Sequence, residues 1–215
     1  MPRGGTLAAF DLDGTLHWTE KALVPAIQRA MEDMGVDPAP AERINSLYGE
    51  PLEEFCRLLL GRGPGSDCHL FRLGIRRHQK RTLPLSGELY PGVRELLERL
   101  RKAGASMAVI SNAGEGYIRL VLNSFGIGDY FQSLLGADTG LSKALRLRSL
   151  LEPGNWAAAV MVGDRYHDLE AAERNGVPSI GCLYGYGSRE ELEPADILVE
   201  SPAEVFDSMS RLGIL

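Results

Sequence analysis

The stretch FDLDGTLHWTE, residues 10–20, places two aspartates two positions apart at the end of a short apolar run. That run, TLAAF at residues 6–10, has the length and the apolar character of a buried strand. Glycine and threonine follow the second aspartate, so the chain turns directly after it has presented two carboxylates. A strand that ends in this way either closes with ordinary turn residues or carries a reaction centre.

A regular alternation of strand-like and helical segments begins near residue 89 and continues beyond residue 195. Short apolar runs typical of buried strands occur at 106–112, 157–164, 178–184 and 195–201. Helical patterns lie before and between them, at 93–104, 114–127, 142–151 and 168–176. The alternation predicts an α/β fold, a doubly wound and mainly parallel sheet with helices on both faces.

Residues 17–88 differ from the rest, because they contain three helical patterns and no convincing strand. The helical patterns cover 19–35, 42–61 and 68–82. We therefore predict an α/β core of residues 1–16 and 89–215, and an all-helical cap of residues 17–88 inserted after the first strand. Thr19 is expected to cap the first of these helices.

Composition limits the classes of protein and of partner. The 215 residues are 44% hydrophobic and 24% charged, which is typical of a soluble globular protein. The net charge of −6 argues against a nucleic acid partner, since binding to a phosphate backbone depends on a basic surface. No apolar run is long enough for a signal peptide or a membrane span, so we expect a cytoplasmic protein without a membrane partner. The three cysteines, Cys56, Cys68 and Cys182, are expected to be reduced thiols.

Polar side chains stand where the predicted strands end. They are Asp11 and Asp13 after the first strand, Ser111 and Asn112 after the next, and Asp164 followed by Asp168. The carboxyl ends of parallel strands share one edge of a sheet, so these residues should converge in one crevice. Carboxylates held together repel one another unless a cation neutralises them, and oxygen-only ligands favour a hard ion such as Mg²⁺. The sequence therefore predicts a Mg²⁺ site that handles phosphate.

The chemistry of phosphoryl transfer suggests a role for each residue type. A carboxylate can attack phosphorus, and Asp11 is the best placed because it comes first after the strand. Asp13 can protonate the leaving oxygen and later deprotonate water. The other residues serve the phosphate or the metal: Ser111 and Asn112 offer hydrogen-bond donors, Lys143 offers a positive charge, Asp164 would hold the metal, and Asp168 would be a further ligand or orient one. Asp168 also suits a helix cap, and Asn112 also suits a plain turn.

Four motifs in order resemble those of the haloacid dehalogenase-like (HAD) phosphatase superfamily: FDLDGTL, VISNA, Lys143 in SKALRL, and VGDRYHDLEAA. The resemblance covers nearly the whole chain and implies a Rossmann-like core with an inserted helical cap, as in phosphoglycolate phosphatases. It implies that Asp11 is the nucleophile and Asp13 the acid and base. It also implies that Ser111 and Lys143 bind phosphate, while Asp11, Asp164 and the backbone carbonyl of Asp13 bind Mg²⁺.

The resemblance implies a phosphatase acting on a small phosphorylated metabolite, with phosphoglycolate as one candidate. Relatives often have Asp-Ser where this chain has Trp18 and Thr19, so the resemblance does not name the substrate. A phosphomutase of the same fold is the nearest alternative, because it shares the nucleophile and the cap. A dehalogenase fits less well, since it does not need the acid and base that Asp13 supplies. A third alternative is a non-catalytic protein that binds phosphate or a partner.

Several residues outside the four motifs have two interpretations. Glu50, in the cap stretch YGEPLEEF, and Trp18 are candidates for substrate contact, although Trp18 also suits packing at the hinge. The arginine-rich stretch FRLGIRRHQKR, residues 71–81, either binds an anionic substrate or is a solvated helix face. Arg165 and His167 are expected to be solvated or to form salt bridges.

Overall fold

The structure, a computed structural model, describes residues 4–48, 50–61, 66–152 and 156–215. The strands are β1 (Gly5–Phe10), β2 (His17–Trp18), β3 (Glu88–Leu89), β4 (Ser106–Ile110), β5 (Ser133–Leu135), β6 (Trp156–Gly163), β7 (Ser179–Cys182) and β8 (Ile197–Val199). The α-helices are α1 (Glu20–Asp33), α2 (Ala41–Asn45), α3 (Leu52–Leu60), α4 (Ser66–Ser86), α5 (Val93–Lys102), α6 (Glu115–Ser124), α7 (Lys143–Leu151), α8 (Tyr166–Asn175), α9 (Arg189–Leu192) and α10 (Val205–Arg211). Short 3₁₀ turns cover Gly128–Tyr130, Ala137–Thr139 and Pro202–Glu204.

Six strands form one parallel sheet in the order β5-β4-β1-β6-β7-β8. Strands of this sheet that follow one another in the sequence are joined by crossover connections, because a tight turn cannot join two parallel strands. The central strand β1 is buried along most of its length, because both of its faces are covered by helices. The predicted doubly wound, mainly parallel α/β sheet is therefore confirmed.

The two faces of the sheet are covered by different helices. Alternate side chains of β1 pack against the helices on one face and on the other. Ala8 and Phe10 point to the face that α5, α6 and α10 cover, where Leu97 is fully buried. Ala9 points to the opposite face, which packs against Leu147 of α7 and against α8. Because successive side chains of a strand point to opposite faces, one short apolar run supplies both halves of the core.

The helices α1 to α4 form the segment between β2 and β3, and they have an apolar core of their own. The sequence predicted no strand in this segment, but β2 and β3 pair as a two-residue antiparallel ribbon, His17 with Leu89 and Trp18 with Glu88. The helical pattern predicted at 42–61 is also divided, into α2 and α3. The ribbon brings the entry and the exit of the helical segment side by side above the end of β1.

The expectation of three reduced thiols is wrong for two of them. Cys56 on α3 and Cys68 on α4 form a disulfide, and their Cα atoms lie 5.6 Å apart. Cys182 is a free thiol buried in the core. The spacing of 12 residues between the paired cysteines carried no signal, because only the packing of α3 on α4 brings them together. Among the described residues, no helix combines the length and the apolarity that a membrane crossing needs.

Substitution of a core leucine tests the packing of α5 on the sheet. We expect Leu97→Ala to lower the free energy of unfolding by about 2–5 kcal/mol, because the side chain is fully buried and would leave a cavity. Urea denaturation followed by circular dichroism measures this change. Leu145→Ala is the matched control, because that leucine is 47% exposed and its loss should change the free energy by no more than about 0.5 kcal/mol. Equal losses in the two variants would contradict the assigned packing.

Candidate active site

Three neighbouring strands deliver polar side chains to one edge of the sheet. Asp11 follows β1, Ser111 follows β4 and Asp164 follows β6, and β1 lies between the other two strands. All three side chains are almost completely buried. The backbone amide of Asp11 donates to the carbonyl of Val162 at 2.9 Å, so the sheet pairing extends to the aspartate itself. The crevice predicted from the strand ends is present.

Asp11, Asp164 and Asp168 form a compact cluster of carboxylates. One oxygen of each lies within 4.8 Å of the others. The Nζ atom of Lys143 lies 3.0 Å from Oδ1 of Asp11 and 2.7 Å from Oδ1 of Asp168. Three buried carboxylates thus lie close together, and the one ammonium group contacts two of them, which leaves an excess of negative charge in a place that water hardly reaches. A hard cation with oxygen ligands is the partner that this set of donors fits.

The pKa values of the cluster express this excess of charge. Burial raises the pKa of Asp11 from 3.8 to about 7, with Lys143 opposing the shift and Asp168 adding to it. Burial, together with repulsion from Asp11 and Asp168, raises the pKa of Asp164 well above its ordinary value. Burial alone would lower the pKa of Lys143, but attraction by Asp11 and Asp168 raises it above 10.5, so the ammonium stays charged. A bound cation would favour the ionised carboxylates.

Glycine and backbone amides allow the chain to approach Asp164 closely. Gly14 has a φ of 82°, and a Cβ atom there would lie 2.1 Å from Oδ2 of Asp164. Thr15 donates its hydroxyl to Oδ1 of Asp164 at 3.0 Å, and the amide of Tyr186 donates to Oδ2 at 2.8 Å. The turn after β1 therefore packs against the carboxylate of a strand that is more than 140 residues away.

Asp13 lies in a separate network of hydroxyl groups. Tyr117 of α6 donates to Oδ1 of Asp13 at 2.6 Å, and the hydroxyl of Thr19 lies 2.7 Å from the same oxygen. Nδ1 of the buried His17 is 3.4 Å away. Thr19 was expected to cap α1, but its side chain makes no capping hydrogen bond and bonds to Asp13 instead. The sequence did not predict the hydrogen bond from Tyr117 to Asp13, because a tyrosine in an amphipathic helix gives no indication of which side chain it contacts.

Arg146 supports the loop after β4. Its guanidinium donates to the backbone carbonyl of Ser111, to Oδ1 of Asn112 at 2.7 Å and to the carbonyl of Leu135 at 3.1 Å. The side chain is only 2% exposed, although arginine is rarely buried without such partners. Asn112 is thereby held in place beside Ser111. No sequence pattern marks Arg146 as a site residue, because it stands three residues after Lys143 in an ordinary helical pattern.

Arg165 connects the sheet to the helical segment. Its guanidinium lies 3.2 Å from Oε1 of Glu50 and 2.8 Å from Oε1 of Glu191, and it also donates to the carbonyl of Tyr48. His167 lies 3.5 Å from the other oxygen of Glu50. Of the two positions expected for Arg165 and His167, solvated or salt-bridging, Arg165 has the second. Burial lowers the pKa of His167, which favours the neutral ring, so its contact with Glu50 is not a salt bridge of the same kind. Glu50 faces the active-site cavity while it is held by residues of the strand edge.

A cavity of about 720 Å³ lies between the strand edge and the helical segment. Asp11, Asp13, Ser111 and Asn112 line its floor, and Glu50 lines its side. Trp18 is not among the lining residues; it stacks on Tyr90 with 5.5 Å between ring centres, next to the two-residue ribbon. Of the two interpretations of Trp18, this position agrees with packing rather than with substrate contact.

Comparisons of the sequence and of the structure with known proteins show which proteins this chain resembles. A sequence model of the family described as haloacid dehalogenase-like hydrolase matches residues 8–182. A phosphoglycolate phosphatase of Pseudomonas putida is 30% identical, over 99% of this chain and 79% of that protein. A solved structure of protein tyrosine kinase A of Mycobacterium tuberculosis has a TM-score of 0.76 at 28% identity, covering 96% of this chain and 98% of that one. A predicted phosphatase of Clostridium acetobutylicum shares the fold with a TM-score of 0.84 at 24% identity, covering 97% and 99% of the two chains.

The raised pKa of Asp11 predicts how the stability of the metal-free protein depends on pH. The folded state binds this proton more tightly than the unfolded chain, so stability is lost as pH rises from about 4 to about 7. We expect the free energy of unfolding to fall more steeply between about pH 5 and about pH 7 in the wild type than in Asp11→Asn. Urea titrations at several pH values measure both slopes. A saturating divalent cation should flatten the wild-type slope, and identical slopes in the two proteins without metal would contradict the assignment.

Proposed function

This chain belongs to the haloacid dehalogenase-like hydrolase family, and from that premise we propose that it is a Mg²⁺-dependent phosphatase of small phosphate monoesters. The observation that carries the proposal is the position of Asp11. Its carboxylate lies at the end of the central strand, 3.0 Å from Lys143, with Asp164 beside it and the cavity in front of it. A nucleophile, a fixed positive charge and a metal-binding set of oxygens thus meet at one point of the crevice.

Asp11 acts as the nucleophile in this proposal. Its carboxylate oxygen attacks the phosphorus of the ester, the bond from phosphorus to the ester oxygen breaks, and an aspartyl-phosphate forms. Lys143 attracts the negative charge on the phosphoryl oxygens, and Ser111 offers its hydroxyl group to them. Catalysis of phosphoryl transfer depends chiefly on such positioning and charge stabilisation, which buried and mutually fixed groups provide.

Asp13 handles the protons. In the first step the protonated carboxyl of Asp13 gives its proton to the departing ester oxygen. In the second step the same carboxylate accepts a proton from a water molecule as that water attacks the phosphorus. Inorganic phosphate leaves and the carboxylate of Asp11 is restored. Tyr117 and Thr19 hold Oδ1 of Asp13, which leaves its other oxygen to face the substrate.

The donor set fits Mg²⁺, and we propose Asp11, Asp164 and the backbone carbonyl of Asp13 as its ligands. Asp168 would support the site, since its Oδ1 lies beside Lys143 and its Oδ2 accepts the backbone amide of Arg165 at 3.1 Å. A bound Mg²⁺ would neutralise negative charge on the phosphate and on the carboxylates. Asn112 would bind the phosphate or the substrate from the loop after β4, where Arg146 holds its Oδ1 in place.

We propose that residues 17–88 act as a cap that closes over the bound ester and excludes bulk water. The ion pair of Arg165 with Glu50 is one contact that such closure would make and break. The ribbon of β2 and β3 is the expected hinge, because it is the two-stranded connection between the cap and the α/β core of residues 1–16 and 89–215. The substrate is a small phosphorylated metabolite, and phosphoglycolate is one candidate.

Replacement of the nucleophile tests the proposed reaction. Asp11→Asn should abolish release of phosphate from 4-nitrophenyl phosphate in the presence of Mg²⁺, because an amide does not attack phosphorus. A malachite-green assay measures the phosphate, and circular dichroism checks that the variant is folded. The wild type without Mg²⁺ is the second arm. Wild-type rates in Asp11→Asn would exclude this nucleophile, and phosphate release only in the presence of a sugar bisphosphate would favour the phosphomutase.

Loss of the tyrosine hydroxyl tests the role of Asp13. We expect Tyr117→Phe to slow hydrolysis of an alkyl phosphate about tenfold or more, because a hydrogen bond to a charged group is lost and proton donation is less well directed. The value of kcat/KM for 4-nitrophenyl phosphate should change little, since kcat/KM reports the step that forms the aspartyl-phosphate, and that leaving group needs no proton. Steady-state kinetics gives kcat/KM for both esters, and these are the values in which the slowing is compared. Tyr130→Phe is the control, because that hydroxyl bonds to Glu98 outside the site; equal slowing on both esters would contradict the role.

A further inference from the structure

The cavity of the active site extends well beyond the phosphate-handling residues, and one helix of the cap lines its far side. Arg72, Ile75, Arg76 and Gln79 of α4 all line the cavity. Their spacing of three and four residues places them on one face of the helix. Seven residues of helix rise about 10 Å, so these side chains cover a long strip of the cavity wall.

The arginine-rich stretch divides into two groups in the structure. Arg72, which is half-buried, and Arg76, which is exposed, line the cavity, whereas Arg77 pairs with Asp33 on the surface and Arg81 is exposed outside the cavity. The guanidinium of Arg76 lies 3.9 Å from the place that a Cβ atom of Gly116 would occupy, so it reaches across to the start of α6. The solvated-face interpretation therefore holds for only part of the stretch.

Within the residues that the structure describes, Arg72 and Arg76 have no ion pair within 4.0 Å and no hydrogen bond from the guanidinium. Nε of Arg72 is buried and lacks a hydrogen-bond partner. A guanidinium nitrogen that loses water without gaining a partner, as Nε of Arg72 does, is costly, and a bidentate bond to a carboxylate or a phosphate would satisfy such donors. The positions of these two side chains thus leave room for an anion between the cap and the floor.

Apolar side chains form another part of the wall, although Glu50, Glu53 and Asp138 also line the cavity. Leu23, Ile27, Leu47, Phe55 and Ile75 line the cavity between the arginines and the floor. A volume of about 720 Å³ is in the range of pockets that hold ligands of moderate size. A leaving group with two carbon atoms would contact little of this wall. A leaving group with an apolar body would fill it.

We propose that Arg72, Arg76 and Gln79 form a subsite for a second anionic group, and that the substrate is a phosphate monoester whose leaving group joins an apolar body to that anion. The inference rests on the proposed phosphatase function, since it concerns the same cavity. Phosphate binds at Asp11 and Lys143, the apolar body lies along α1 and α4, and the second anion binds the guanidinium groups.

A matched pair of substrates tests the proposal. The probes are 4-carboxyphenyl phosphate and 4-carbamoylphenyl phosphate, which have nearly the same shape and differ in the negative charge. We expect kcat/KM of the wild type to be about tenfold or more higher for the carboxylate, the size expected of a hydrogen bond to a charged group. A third ester, 1,4-phenylene bisphosphate, tells whether a phosphate serves as the second anion better than a carboxylate does.

Substitutions on α4 test which residues cause the preference for the carboxylate ester. Arg76→Gln and Arg72→Gln should each reduce the preference for the carboxylate, which is the ratio of kcat/KM for the carboxylate to that for the carbamoyl ester, about tenfold. Arg81→Gln is the control, because it removes the same charge from the same helix outside the cavity. Arg76→Lys should restore part of the preference. Thermal unfolding of each variant checks that it is folded.

The possible outcomes separate this inference from the proposed function. Hydrolysis of neither ester by the wild type would count against the phosphatase itself. Hydrolysis of both esters at equal rates would leave the phosphatase in place and overturn the subsite. An equal loss of preference in Arg81→Gln and Arg76→Gln would also overturn it, because long-range attraction by the positive charge of the helix would then explain the preference.

Discussion

The repulsion among three buried carboxylates around one lysine is the constraint on which the rest of the site depends. Asp11, Asp164 and Asp168 come within 4.8 Å of one another, with Lys143 in direct contact with two of them. Such a cluster of charges destabilises the folded protein when no cation is bound. It persists only where the surrounding chain holds it rigidly and a cation neutralises part of the negative charge. The carboxylates that the site needs therefore lower the stability of the fold at this edge of the sheet. A bound metal ion would reduce their repulsion and so recover part of that stability.

The surrounding structure is arranged to hold these charges. Gly14 removes a side chain where the turn meets Asp164, and backbone amides donate to the carboxylates of Asp164 and Asp168. Arg146 donates a hydrogen bond to the loop after β4, and Arg165 forms an ion pair with Glu50 in the loop before α3. Neither arginine needs to touch the substrate for this role. Buried, hydrogen-bonded groups of this kind fix the geometry that phosphoryl transfer requires.

Much of the fold could be predicted from local pattern. The run before Asp11 and the run before Asp164 have the apolar character of buried parallel strands, and the rule that such strands end at one edge brings their aspartates together. The short strand β5 and the ribbon of β2 and β3 were missed, because two or three residues give no periodicity to detect. The disulfide of Cys56 with Cys68 was missed for another reason, since it depends on how two helices pack.

The sequence by itself determined the fold class, the order of the four motifs and the residue types of the carboxylate cluster, because these are carried by short segments whose chemistry does not depend on distant neighbours. The tertiary structure decided which side chains contact one another. Tyr117 bonds to Asp13 across 104 residues, Arg165 bonds to Glu50 across 115, and only two of the arginines on α4 face the cavity. Such contacts arise from packing between elements, and no local pattern encodes which side chain will stand opposite another.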